Sequence, residues 1–251
     1  MTWARLGCAL LLLLAAIEPA AAGVFSVTPV RIYMTPRDRA VAITIKNDGD
    51  TPVVLQADVN VWAQKADGTD ELTPTDDLIL APPIIKLGPG MRQVVRLARL
   101  KAPDALRQLT YRMILREVPE ALAQKENIQV AIALALSMPV FITPPLAQRE
   151  LACEARSSAD GGSVDVSCLN SGTAYAQVRE ILAKEKGGER VLGRFEGGAY
   201  ILPGARIRMP IKIERPGSPN LPFGALQLTL TFDDAKTQTF DVIVGQPRVG
   251  Q

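Results

Sequence analysis

The 251-residue chain contains no histidine, and this one absence excludes more chemistry than any motif in it suggests. Without imidazole there is no Ser-His-Asp or Cys-His catalytic group and no imidazole-bound metal, which leaves carboxylate, lysine, serine or thiolate chemistry. None of these is arranged for catalysis. There is no Walker A loop, no Gly-x-Ser-x-Gly and no paired-thiol metal spacing, and Asp76-Asp77 and Asp233-Asp234 stand in turn-like contexts. We therefore expect no enzyme, no metal site and no cofactor. Charge of one sign is also lacking: 28 Lys and Arg face 26 Asp and Glu, a net charge of +2, so no nucleic-acid partner is expected. Aromatic residues make up only 5% of the chain, and Trp62 is the sole tryptophan beyond the first few residues, which speaks against a sugar-binding face.

The one long hydrophobic run lies at the N-terminus. Arg5 precedes an apolar stretch over 6–17, and Ala20-Ala21-Ala22 follows as a small-residue cleavage site, the pattern of a secretory signal over 1–22. The stretch is about a dozen residues, short of the roughly 20 needed to span a bilayer. No membrane insertion of the mature chain is expected, and Cys8 leaves with the signal.

Cysteine is then reduced to Cys153 and Cys168, in a chain expected to meet an oxidising compartment. Around them, residues 149–154 and 163–169 look like short strands on either side of Asp160-Gly161, a strong hairpin signal. The two cysteines stand at equal distances from that turn. They would face each other across the ladder at a separation a disulfide can bridge.

Period-two alternation and regularly spaced turn residues indicate an all-β chain. Strands are expected over 41–45, 53–62, 78–81, 84–87 and 93–100, then 175–183, 189–195, 206–213, 226–232 and 239–244, with a turn at 233–236 and one short helical turn at 102–106. Pro144-Pro145 is the best candidate boundary, dividing the chain into a first domain over 23–145 and a second over 146–251. Each piece is the size of an immunoglobulin-like sandwich.

Residues 128–140 carry large apolar side chains at every even position, from Ile128 through Val130, Ile132, Leu134, Leu136 and Met138 to Val140. Such spacing fits a strand and not a helix. The row either fills its own domain's core or belongs to an edge strand offered to another protein.

Several runs together resemble a known family. They are Val24-Phe25-Ser26-Val27-Thr28-Pro29-Val30-Arg31-Ile32-Tyr33, Pro82-Pro83 through Gly88-Pro89-Gly90, Val94-Val95-Arg96-Leu97, Tyr111 through Leu115-Arg116-Glu117-Val118-Pro119, and the strand ending Val140-Phe141-Ile142-Thr143-Pro144. Asn170-Ser171-Gly172-Thr173-Ala174-Tyr175 and Leu202-Pro203-Gly204 extend the likeness more loosely. The chain so resembles the periplasmic chaperones of the chaperone-usher pilus pathway, in a divergent form.

The resemblance implies two immunoglobulin-like domains set at an angle in a periplasmic, non-catalytic chaperone. Its partners would be pilus subunits and an outer-membrane usher, and the free form could self-associate. The donor strand would present Ile128, Val130, Ile132, Leu134 and Leu136 to the subunit, while Arg31 would hold the subunit's terminal carboxylate. The family's second basic residue falls here at Pro139 and its hinge arginine at Thr143, leaving Arg112 or Arg116 as candidates for the second cation. The alternative is an exported immunoglobulin-like structural or adhesive surface protein, such as a pilus subunit or a sugar-binding sandwich.

Overall fold

The computed structural model describes residues 25–65, 67–119, 133–158, 162–213 and 224–246, and every regular element among them is a strand. Ten strands come first: β1 (Phe25–Thr28), β2 (Ile32–Met34), β3 (Ala40–Asn47), β4 (Val53–Gln64), β5 (Asp70–Pro74), β6 (Leu78–Ala81), β7 (Ile84–Leu87), β8 (Arg92–Arg99), β9 (Leu109–Glu117) and β10 (Ala135–Ile142). They form two sheets, one ordered β1-β3-β8-β6 and the other β2-β10-β9-β4-β5, with β7 also pairing β4. Alternate residues fill the space between the sheets: Ile43 and Ile45 from β3, Leu55 from β4, Val95 and Leu97 from β8, and Met113 and Leu115 from β9. A closed row of aliphatic side chains of this kind gains about 1.5 to 3 kcal/mol for each one buried.

Seven more strands follow: β11 (Leu151–Ser157), β12 (Ser163–Asn170), β13 (Ala176–Glu185), β14 (Val191–Ile201), β15 (Arg206–Ile213), β16 (Ala225–Phe232) and β17 (Thr237–Gly245). Their ladder closes on itself in the order β11-β12-β15-β14-β13-β16-β17. Two of its seams are narrow. β14 meets β15 only at Gly193↔Ile213 and Arg194↔Lys212, and β11 meets β17 only at Ala155↔Val244 and Arg156↔Gly245. The unit is thus a sandwich of two layers, β11-β12-β15 facing β14-β13-β16-β17, stitched along both edges.

Local chemistry explains the turns. Asn47, fully buried, donates from Nδ2 to the carbonyls of Thr51, Leu87 and Gly88 and accepts at Oδ1 from the Gly49 amide, tying the β3–β4 turn to the β7–β8 loop. Asn170 does the same in the second sandwich. Its Nδ2 donates to the carbonyls of Ala174 and Ile201, and its Oδ1 accepts from the amides of Glu150 and Gly172. Gly172 lies so close to the neighbouring segment that a Cβ there would sit 2.4 Å from the Gln148 carbonyl oxygen.

Most expected strands appear within one to three residues of their expected ends, but three expectations change. Residues 102–106 form no helical turn: Pro103 precedes Asp104, whose carboxylate accepts from the amides of Leu106 at 2.7 Å and Arg107 at 2.8 Å and closes a side-chain turn instead. β14 runs on to Ile201 through Gly197-Gly198, where the apolar signal had stopped. β5 had no signal at all, because all five of its residues are exposed and alternation requires a buried face.

In β11 and β12 the expected register is present, with Cys153 directly opposite Cys168 and the pair joined as a disulfide. The Asp160-Gly161 turn tip lies outside the described residues. For a loop of this length, replacing both cysteines with alanine is expected to cost about 3 kcal/mol. Chemical denaturation should show this as a lower midpoint for the second sandwich, with the first unchanged.

Candidate functional site

β10 carries the first feature that sets the molecule apart from a closed sandwich. Along its whole length it pairs with β9, from Ala135↔Arg116 to Ile142↔Leu109. On its other side β2 reaches only Val140, Phe141 and Ile142. Among the described residues, the stretch from Ala135 to Pro139 therefore presents an unpaired backbone edge. Proline suits that place, since it has no N–H to offer a ladder and is confined to edges or bulges.

The even-numbered row divides along the strand. Met138, Val140 and Ile142 are buried in the first core, Leu134 packs partly against it, and Leu136 is 36% exposed. Ile128, Val130 and Ile132, three of the five expected donor residues, lie outside the described residues.

The odd face of β10 serves the second domain. Phe141 is fully buried, and it belongs with the second core, as does Trp62 of β4. β4 keeps its alternation throughout: its odd residues from Val53 to Val61 face the first core, while its even face becomes buried from Asn60 and carries Trp62 into the second core. Tyr33 and Tyr175 pack against Phe141, and Tyr200 packs against both Phe141 and Trp62, so that three of the chain's four tyrosines join these two rings in one cluster. Phe141 stacks on Tyr175 with centroids 4.1 Å apart, and Trp62 meets Tyr200 edge-on at 5.1 Å. Pairs of this geometry contribute about 0.5 to 1.5 kcal/mol beyond the area they bury.

Two glutamines complete the junction. Gln64 brackets the strand end beyond β14, donating to the Tyr200 carbonyl at 3.0 Å and accepting from the Leu202 amide at 2.9 Å. Gln108 accepts from the Tyr175 amide at 2.9 Å and donates to the Thr143 hydroxyl at 2.7 Å, while its own amide reaches the Thr173 carbonyl.

Arg31 and Arg112 flank this cluster. The Arg31 guanidinium lies 5.9 Å from the Tyr200 ring centroid and that of Arg112 lies 5.6 Å from it, with Arg112 also 3.7 Å over Trp62. Arg112 stands directly across the ladder from Pro139. Arg116, the other candidate for a second cation, lies four residues further along β9 and pairs with Asp58 on the outer face, away from the rings. Arg31 donates to Asp233 at 2.8 Å and to the Tyr33 hydroxyl at 3.2 Å, and Tyr175 also donates to Asp233 at 2.8 Å. A cleft of about 510 Å³ opens at this point, lined by Arg31, Tyr33, Gln108, Thr143, Tyr175 and Asp233 among others.

Burial dominates the electrostatics. It raises the Tyr175 phenol well above the ordinary tyrosine range, helped by the hydrogen bonds to Tyr33 and Asp233. It raises Tyr200 too, against the opposing pull of Arg31 and Arg112. The same burial lowers Arg112, with Asp70 and Tyr200 acting in the other direction. Among the described residues no group of acids and cysteines could hold a metal. The arrangement offers instead two cations on an aromatic floor beside an open strand edge, which suits recognition of an extended chain and its anionic end.

Sequence reasoning located Arg31, Arg112 and the β10 segment but not Trp62, Tyr200, Asp233, Gln64 or Gln108. The one local sign of Trp62 was its even position in a strand whose other core residues are odd.

Residues 24–147 match the family described as pili and flagellar-assembly chaperone, PapD N-terminal domain. No curated protein matches the chain in sequence. Among solved structures, one chain of the CsuC–CsuE chaperone–tip adhesion subunit pre-assembly complex, from the archaic chaperone-usher Csu pili of Acinetobacter baumannii, is similar at 18% identity with a TM-score of 0.62, covering 88% of this chain and 99% of that one. The E. coli chaperone DraB is similar at 18% identity and a TM-score of 0.55, over 88% of this chain and 96% of DraB. A chain of the Salmonella enterica SafA pilin in complex with the SafB chaperone is similar at 13% identity and a TM-score of 0.55, over 87% of this chain and 95% of that one. At these identities the likeness speaks for the fold, two immunoglobulin-like domains.

The raised tyrosines make the junction sensitive to alkali. Above about pH 10 an unfolded chain's tyrosines lose their protons while Tyr175 and Tyr200 keep theirs in the fold, so the unfolded state gains and stability falls as pH rises. Thermal unfolding between pH 8 and 11 should show this loss, and Tyr175→Phe should make the decline shallower.

Proposed function

The chain belongs, through residues 24–147, to the family of pili and flagellar-assembly chaperones with the PapD N-terminal domain, and from that premise we propose how its own residues handle a pilus subunit. It is a pilus-assembly chaperone that lends β10 to an incomplete subunit as its missing strand. The observation that carries this reading is the edge from Ala135 to Pro139, unpaired among the described residues, set beside the aromatic cluster that Arg31 and Arg112 flank. Leu134 and Leu136 would enter the subunit's groove with Ile128, Val130 and Ile132 as the row continues upstream. β-Augmentation of this kind takes affinity from backbone hydrogen bonds and selectivity from alternate side chains.

Arg31 and Arg112 would together hold the subunit's terminal carboxylate. Arg112 takes the part of the basic residue that the family resemblance assigns to the place of Pro139, from the neighbouring strand. The first domain ends at 145 and the second begins at 146, with Gln64, Gln108 and the aromatic rings fixing the angle between them. The chaperone would act in the periplasm without catalysis, hand its subunit to an outer-membrane usher, and cover its open edge by self-association when no subunit is present. The family being one of periplasmic chaperones and the signal pattern over 1–22 both support this placement.

Co-expression with small exported subunits encoded in the same genome is expected to yield a one-to-one complex, read by affinity copurification. Changing Ile132 and Leu134 together to aspartate should abolish it, and unaltered capture would remove the donor-strand assignment. Arg31→Ala or Arg112→Ala should weaken capture by at least about tenfold, since a charge pair broken in a desolvated cleft costs about 2 kcal/mol or more. Arg116→Ala should leave it unchanged.

A further inference from the structure

Arg31 already holds a carboxylate. Among the described residues both its hydrogen bonds leave from Nη1, one to Asp233 Oδ2 at 2.8 Å and one to the Tyr33 hydroxyl at 3.2 Å. Tyr175 donates to the same Oδ2 at 2.8 Å, and the Tyr33 and Tyr175 hydroxyls are 2.9 Å apart. Four side chains thus close a hydrogen-bonded ring, with Arg31 and Tyr33 from the first domain and Tyr175 and Asp233 from the second. The ring lies where β2 meets the turn after β16.

An arginine grips a carboxylate best through two parallel N–H groups. Asp233 uses only one nitrogen, so its own grip is less than the guanidinium can give. Its Oδ2 nonetheless occupies the space in which one oxygen of an incoming end-on carboxylate would sit. Asp233 can part from Arg31 without losing its other hydrogen-bond donor. Its side chain is 14% exposed, it keeps the Tyr175 hydroxyl as a donor, and its neighbour Asp234 remains tied to Arg149 by two bonds at 3.1 and 3.2 Å.

We propose that Asp233 is an internal stand-in for the terminal carboxylate of a bound chain, held by Arg31 in the free protein and displaced when that carboxylate arrives. The proposal rests on the reading of Arg31 as a chain-terminus anchor. It adds that capture and opening of this interdomain ring are one exchange, carboxylate for carboxylate. Competition for one guanidinium then requires that whatever weakens the Asp233 contact strengthens capture, by up to the same factor. The opposite role, in which Asp233 merely orients Arg31, requires its loss to weaken capture.

The test uses the full mature chain and two synthetic probes, a short alternating valine-threonine peptide with lysines at its N-terminus and a free C-terminal carboxylate, and its amidated twin. Binding is read from the fluorescence of Trp62, which lies in the ring cluster. The wild type should prefer the acid over the amide, and Asp233→Asn, which keeps an acceptor for Tyr175, should raise that preference on the order of tenfold with the amide's affinity unchanged. Tyr175→Phe, which preserves the stack on Phe141, should raise it less. A preference that is unchanged or reduced in Asp233→Asn overturns the stand-in role while leaving the anchor intact. Absence of any acid preference in the wild type overturns the anchor reading itself, and the stand-in with it.

Discussion

The constraint on which the molecule turns is that β10 is buried on both faces by different domains. Met138, Val140 and Ile142 fill the first core, and Phe141 lies in the second, stacked on Tyr175. A strand committed to two cores cannot shift by one residue without exchanging every one of these side chains between them. Its register is therefore fixed at its C-terminal end, and the unpaired stretch upstream is held at a set height and direction. Ala135 to Ser137 can stay exposed on an edge unpaired among the described residues because the five buried residues after them, Met138 to Ile142, supply the stability that this stretch gives up.

The same commitment explains the junction's chemistry. Rings that meet across two domains must be oriented as well as buried, and the glutamines do this by bonding to backbone groups of the second domain: Gln64 to residues 200 and 202, Gln108 to residues 173 and 175. Neutral amides avoid the desolvation cost that a charged hinge would carry. The resemblance placed a hinge arginine at Thr143, and here the Thr143 hydroxyl accepts from Gln108 instead. The only ion pair in the ring of hydrogen bonds, Arg31 with Asp233, lies at the cleft mouth where it remains partly in water.

The strands were legible wherever one face is buried and the other wet. β6, β7 and β15 match their expected bounds to the residue, because alternation and flanking Pro or Gly agree there. The Cys153–Cys168 register was legible for a similar reason, since a hairpin turn and a period of two leave one pairing. Alternation says nothing of β5, which has no buried residue, and at β4 it does not show that the even face also becomes buried from Asn60. The interdomain site was hidden for a deeper reason. Trp62, Phe141, Tyr175, Tyr200 and Asp233 come from five separate places in the chain, and only the packing of one sandwich against the other brings them together.

On the proposed reading the second cation moves from one strand to its neighbour, and the geometry of the ladder allows it. Residues opposed in an antiparallel pair have Cβ atoms about 4.5 to 5.5 Å apart, so a cation lost from β10 at Pro139 can be recovered from Arg112 on β9 only by a side chain long enough to cover that offset. Arginine has the reach, and its flat guanidinium can also stack, as it does 3.7 Å over Trp62. The stack matters because burial lowers the Arg112 pKa, and an ammonium in the same place would lose hydration with less from the ring to offset it. Proline at 139 and arginine at 112 are then two halves of one solution: the edge strand loses an N–H where it is unpaired, and the positive charge is carried by the strand that is fully laddered and rigid.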